Sequence, residues 1–117
     1  MIVTMADINN IQDKSFKLHR PNGRPDYLFV LFKSPSYVMV NGIYEKMDNG
    51  DCIIFNKHKI QSYFPESGQE FCHDFIHFNS ESKVEEMLIH SLPLGVPFKL
   101  SIPDRITSIL RSIIEER

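Results

Sequence analysis

Asn41-Gly42 separates two short apolar runs, and a second turn, Asn49-Gly50, followed by Asp51, leads into a third run, Cys52-Ile53-Ile54-Phe55. A two-residue loop of this composition predicts a type I′ hairpin turn. Both central positions of that turn need φ > 0, which glycine and asparagine adopt at least cost. The pattern therefore asks for antiparallel pairing of Tyr37–Asn41 with Ile43–Met47 and for a third strand beyond it. All five glycines, at positions 23, 42, 50, 68 and 95, fall at turns of this kind. Between them lie runs rich in β-branched and aromatic residues: Tyr27–Phe32, Cys52–Phe55, Gln61–Phe64 and Phe71–Phe78. Short strands at regular spacing predict a mainly β sandwich or barrel. Pro35 interrupts the run between Phe32 and Tyr37 and predicts a bend there.

With 117 residues the chain is long enough for one domain and too short for two. Thirteen basic against fifteen acidic residues give a formal charge of −2, with the cations spread along the sequence. Nucleic-acid binding calls for a basic face, and composition offers none. Cys52 and Cys72 sit inside apolar runs without a CxxC partner, so they read as reduced core residues and not as a zinc site. No run approaches the ~18 apolar residues of a membrane span, and the N-terminus lacks a basic segment leading into an apolar block. A cytoplasmic protein with no membrane partner is expected.

After Phe78 the pattern changes. Asn79 or Ser80 is a candidate cap for a short helix carrying Val84, Met87 and Leu88 on one face, with Glu81 in its first turn. An extended connector, Leu92–Pro97, precedes a short run, Phe98–Leu100. From Pro103 to Arg117 the spacing predicts a second helix, with Ile106, Ile109, Leu110, Ile113 and Ile114 in one stripe. That stripe suits either packing on the chain's own barrel or a homodimer seam. The helix ends without a glycine or proline stop, which suggests that the natural protein continues.

The run His19-Arg20-Pro21-Asn22-Gly23-Arg24-Pro25-Asp26-Tyr27, the Gly50-Asp51 turn and the Ile76-His77-Phe78 element, in this order, resemble the N-terminal domain of the AraC family of bacterial transcription regulators. The resemblance covers roughly residues 16–117. It implies a cupin-type double-stranded β-helix, a jelly-roll barrel followed by C-terminal helices, that binds a small effector, such as a sugar, and dimerises. On that reading residues 1–17 form an N-terminal arm able to close over the pocket, with terminal disorder as the plainer alternative. Residues 18–100 form the effector-binding barrel and residues 101–117 the dimerisation helix. DNA binding is implied only through a C-terminal helix-turn-helix domain absent from this sequence. The function expected is effector sensing, without enzymatic activity.

Alternation along Phe71–Phe78 puts Phe71, His73, Phe75 and His77 on one face and Cys72, Asp74, Ile76 and Phe78 on the other. The sequence alone leaves open which face is interior. In the arabinose-responsive member of the family, the positions matching Tyr63, His73 and Phe75 line the sugar pocket. The resemblance therefore makes these three the expected ligand-binding residues. Aromatic faces for C–H groups and an imidazole for hydroxyls suit a polyol. Lys33 is the nearest match to a basic residue at the end of the first barrel strand that also contributes there. Arg24, with Arg20, flanks a Pro/Gly turn and is a candidate at the entrance, pairing there with an anionic or polyol effector. Each has a plainer reading: rim tyrosine, structural histidine, core phenylalanine, solvated cations. His77 reads as a packing residue.

The competing class is a small cupin enzyme, such as a sugar isomerase or an oxygenase. Its metal would need a His-x-His pair with a nearby carboxylate on one hairpin and a further histidine after the Gly-Asp turn. Tyr37–Met47 contains no histidine, and Gln61 stands where the later ligand is expected. His58, between two lysines, reads as a loop residue. No metal and no cofactor are expected. A ligand-free dimerisation module is the third alternative.

Overall fold

A computed structural model describes residues 1–100, and the expected helix Pro103–Arg117, whether packed on the barrel or forming a dimer seam, lies outside them. Nine strands and one helix follow in the order β1 (Ile2–Gln12), β2 (Leu18–Arg20), β3 (Tyr27–Phe32), β4 (Ser36–Val40), β5 (Ile43–Met47), β6 (Asp51–Phe55), β7 (Gln61–Pro65), β8 (Phe71–Asn79), α1 (Lys83–His90) and β9 (Phe98–Lys99). They form two antiparallel sheets, one ordered β1-β8-β3-β6-β9 and the other β2-β7-β4-β5. The mainly β expectation holds, and the strands from Tyr27 to Asn79 begin and end within a residue of the runs read from sequence. Asn41 and Gly42 have φ of 51° and 82°, as the hairpin turn between β4 and β5 demands.

The two sheets face each other across a core built from alternate residues of each strand. Leu28, Val30, Phe32, Ile53, Phe55 and Phe71 from one sheet meet Val38, Val40 and Tyr63 from the other. The five-stranded sheet is buried on its second face as well. There Tyr27, Ile54, Ile76 and Phe78 pack against Ile89 of α1, with Leu94 and Phe98 alongside. Cys52 is buried, Cys72 is half-buried, and both are free thiols.

Two features depart from the sequence reading. Residues 2–12 of the expected arm are a full strand, paired with β8 from Ile2↔Asn79 to Gln12↔Phe71. The register shifts between Val3 and Met5 and again between Asp7 and Asn10, so the apolar alternation that announces a strand is broken twice. The short helix is present, but its cap is Ser82, whose side chain accepts from the Glu85 N–H, and not Asn79 or Ser80. Its buried apolar side chain is Ile89, whereas Val84, Met87 and Leu88 are 68%, 73% and 62% exposed. Glu86 fixes this orientation through hydrogen bonds with Tyr27 and Ser80.

Candidate functional site

The face left undecided by sequence is resolved by what covers each side of β8. Phe71, His73, Phe75 and His77 point between the sheets, while Asp74, Ile76 and Phe78 point towards the α1 side. Both faces are covered, so alternation along this strand carries no solvent-facing side. Asp74 is tolerated on the outer face because Lys33 Nζ lies 2.9 Å from its Oδ1 and the Asn9 N–H donates to the same oxygen at 2.7 Å.

Between β1 and β8 of one sheet and β2 and β7 of the other lies a cavity of about 160 Å³. Tyr63, His73 and Phe75 line it together, joined by Phe16, Leu18, Arg20, His77 and, from β1, Met5, Asn10 and Gln12. Phe16 stacks on Phe71 with centroids 5.0 Å apart, and His73 stacks on Phe75 at 5.2 Å. Tyr63 stands edge-on to His73 at 6.4 Å. The walls therefore combine aromatic rings with the polar side chains of Asn10, Gln12, Arg20, His73 and His77.

His73 is the central polar group. It is 4% exposed, and its Nδ1 is buried without a hydrogen-bond partner among the described residues. Burial pushes the imidazole down to about 4; a hydrogen bond to the Asn10 backbone and the charges of Asp74 and Asp7 oppose the shift without cancelling it. The ring is therefore neutral at physiological pH and offers one uncommitted nitrogen. A buried polar atom without a partner is unusual in a folded protein and calls for an explanation.

Arg20 enters from β2. Its Nη1 donates to Gln61 Oε1 at 2.9 Å. Gln61 is fully buried, and its own Nε2 has no partner among the described residues. Burial raises the Tyr63 phenol well above the usual tyrosine range, with the Arg20 charge pulling the other way. At the far end, His77 Nδ1 lies 3.4 Å from Asp26 Oδ1. That carboxylate also takes a hydrogen bond from Arg24 Nε at 2.9 Å and one from the Thr4 hydroxyl at 3.1 Å. Burial lowers His77 below the ordinary histidine value, with Asp26 opposing.

Two of the expected ligand residues lie elsewhere. Lys33 reaches to Asp74 and Asn9 on the outer face of the sheet, because it leaves β3 beyond Phe32, which faces inward. Arg24 is held against Asp26 behind His77 and does not line the cavity. Sequence reading missed Phe16, Asn10 and Gln12. They come from the N-terminal segment, whose bulged strand has no clean periodicity. The sequence reading places Arg20 at the surface or at the entrance, pairing with an anionic or polyol effector, and His77 in packing. Arg20 stands opposite Gln61, the first residue of β7, a pairing that only the tertiary structure shows.

A larger cavity, about 380 Å³, opens where the Asn41-Gly42 hairpin faces Ile53, Phe55 and residues 94–96. Its walls are mainly apolar, and Lys59 is the one charged residue lining it among the described residues. Its polar side chains are Asn41, Asn56 and Lys59, and none of them holds a buried polar atom without a partner among the described residues. Among the described residues no three His, Cys, Asp or Glu side chains come together as metal ligands, and no helix is long and apolar enough to cross a membrane.

The fold is similar to that of the plu4264 protein from Photorhabdus luminescens, with a TM-score of 0.53 and 16% identity over 70% of this chain and 68% of that one. At that identity the likeness is one of fold alone. No family model and no curated protein matches the chain.

Proposed function

We propose that this chain is a sensing domain that binds a small polyhydroxylated effector, a sugar or a close relative, in the cavity around His73. On this reading it is the cupin-type effector-binding domain of an AraC-type transcription regulator, and DNA binding belongs to a separate helix-turn-helix domain. The observation that carries the reading is the buried, unpartnered Nδ1 of His73 in an aromatic-walled cavity. A ligand hydroxyl would satisfy that nitrogen, and the ring faces of Phe16 and Phe75 suit the C–H faces of a polyol.

The location of the cavity also suits signalling. Met5, Asn10 and Gln12 come from β1, an edge strand contributed by the N-terminal segment. A ligand touching them binds the form with β1 docked better than a form with β1 released. That difference in affinity is what a ligand needs to bias a conformational equilibrium. In a homodimer the bias would pass to the partner domains.

Calorimetric titration of the chain with a panel of sugars and related polyols, beside the double variant Tyr63→Ala/His73→Ala, tests the reading. Binding by the parent chain and loss in a folded double variant are expected. A ligand at 100 times its dissociation constant stabilises the fold by about 2.7 kcal/mol, so thermal unfolding reports the same event. Unchanged affinity in the double variant would remove these residues from the pocket, and no binding across the panel would sink the sensor.

A further inference from the structure

We propose that the effector is an anion of the hydroxy-acid class, a small polyhydroxy carboxylate, and that Arg20 selects it by pairing with the carboxylate. This rests on the reading of the cavity as the effector site and adds a charge requirement to it.

The side chains lining the cavity include one permanent cation and no carboxylate among the described residues. Arg20 is anchored from below by Gln61 at 2.9 Å. One of its five N–H donors is thereby spent, and the other edge of the guanidinium remains for a ligand. No carboxylate pairs with Arg20 among the described residues, although its positive charge reaches both Tyr63 and His77.

Two of the nearby acids are paired with other cations. Asp26 is held by Arg24, and Asp74 is held by Lys33 on the opposite face of β8. Asp7, exposed on β1, accepts from the Ile8 N–H and the Asn10 side chain; its charge reaches His73, but it does not line the cavity. A sugar hydroxyl gives Arg20 a neutral, single acceptor in place of water and leaves its charge unpaired. A carboxylate supplies planar, paired acceptors matched to the guanidinium fork.

His73 then takes the other end of the molecule. With a hydrogen bond to the Asn10 backbone, the neutral imidazole leaves Nδ1 to accept from a ligand hydroxyl. The cavity volume of about 160 Å³ is below the ~300–1,000 Å³ of drug-sized sites, so the ligand is small.

Matched pairs of ligands test the proposal: galacturonate against galactose, and gluconate against glucitol, titrated calorimetrically into the 117-residue chain, Arg20→Gln and Arg20→Lys. The acids should bind more tightly than their neutral partners, and added salt should weaken them. Arg20→Gln should lower acid affinity about 10- to 100-fold, with Arg20→Lys intermediate because it keeps the charge and loses the fork. Circular dichroism of both variants shows whether they fold, and the ligand pairs on the unaltered chain decide the matter if one does not. Equal or tighter binding of the neutral partners would overturn the charge requirement and leave a neutral-sugar sensor standing. So would acid affinity untouched in a folded Arg20→Gln. Binding of neither class would overturn both the anion and the sensing cavity.

Discussion

Lys33 and Asp74 meet at 2.9 Å on the outer side of β8, directly behind the strand position that turns His73 into the cavity. Asp74 is fully buried, and the same carboxylate oxygen also accepts the Asn9 N–H at 2.7 Å. Asn9 has a φ of 49° and sits in the irregular stretch where β1 slips register against β8. Lys33 closes the knot by donating to Asn9 Oδ1 at 2.6 Å. A residue expected to touch ligand therefore pins the bulge that delivers Asn10 and Gln12 to the cavity.

Lys33→Met should consequently destabilise the fold strongly. Removing one partner of a buried pair leaves an uncompensated charge, at a cost of about 3–5 kcal/mol. Lys33→Met combined with Asp74→Asn should recover a large part of that loss, because no charge remains buried. Urea denaturation of the two single variants and the double variant measures the coupling. Additive effects would show that the pair is not a unit.

His73 predicts an acid-side loss of stability. Its folded value is about 4, against about 6.5 in the unfolded chain. Between those pH values the unfolded chain binds a proton that the folded chain refuses, so stability rises with pH through this window. The contribution is complete above about pH 6.5 and is lost as pH falls towards 4, amounting to roughly 3 kcal/mol. His77, also lowered by burial, acts in the same direction. His73→Phe should flatten the slope of unfolding free energy between pH 4 and 6.5 relative to the parent chain. An imidazole that titrates near 6.5 by NMR would refute the assignment.

Ile89 and Leu88 are neighbours in sequence with opposite roles. Ile89 is 7% exposed against Tyr27, Ile54, Ile76 and Phe78, while Leu88 is 62% exposed. Ile89→Ala should cost about 2–4 kcal/mol through the cavity it leaves. Leu88→Gln should stay within about 0.5 kcal/mol of the parent. Thermal unfolding of the two variants makes the comparison. The reverse order would mean that the helix docks by the face carrying Val84, Met87 and Leu88.

The legible part of the fold is the part governed by local rules. Turn chemistry at Asn41-Gly42 marks the β4–β5 hairpin, the turn at Asn49-Gly50 carries the chain from one sheet to the other, and the runs between glycines match β3 to β8 to within a residue. What stayed hidden depends on tertiary contacts. The helix face was misjudged because Glu86, through Tyr27 and Ser80, fixes which side meets the sheet, and no periodicity records that. β1 was hidden because each register shift reverses which residues face inward. The facing of β8 was undecidable because a strand buried on both sides carries no polar alternation. Tyr63, His73 and Phe75 do share one cavity, but the resemblance to a family suggested them, not their own pattern.

Gly23 and Gly42 provide a controlled comparison of backbone strain with steric room. Both have positive φ, 62° and 82°, so alanine is conformationally strained at either site. A Cβ on Gly42 would meet nothing within 4 Å, whereas one on Gly23 would lie 2.2 Å from the Lys59 carbonyl oxygen. Gly42→Ala should therefore cost only the left-handed penalty of about 1–2 kcal/mol. At Gly23 the obstructing atom belongs to the backbone and cannot rotate away, so either the 20–24 turn or the loop at Lys59 must move. That turn begins at Arg20, whose carbonyl accepts the Gly23 N–H at 3.0 Å. Gly23→Ala should thus be the more destabilising of the two and should also disturb the Arg20–Gln61 hydrogen bond. Thermal unfolding ranks the two variants, and NMR shifts of the Arg20 and Gln61 side chains report the second effect. Equal melting temperatures would show that the contact with Lys59 is not close.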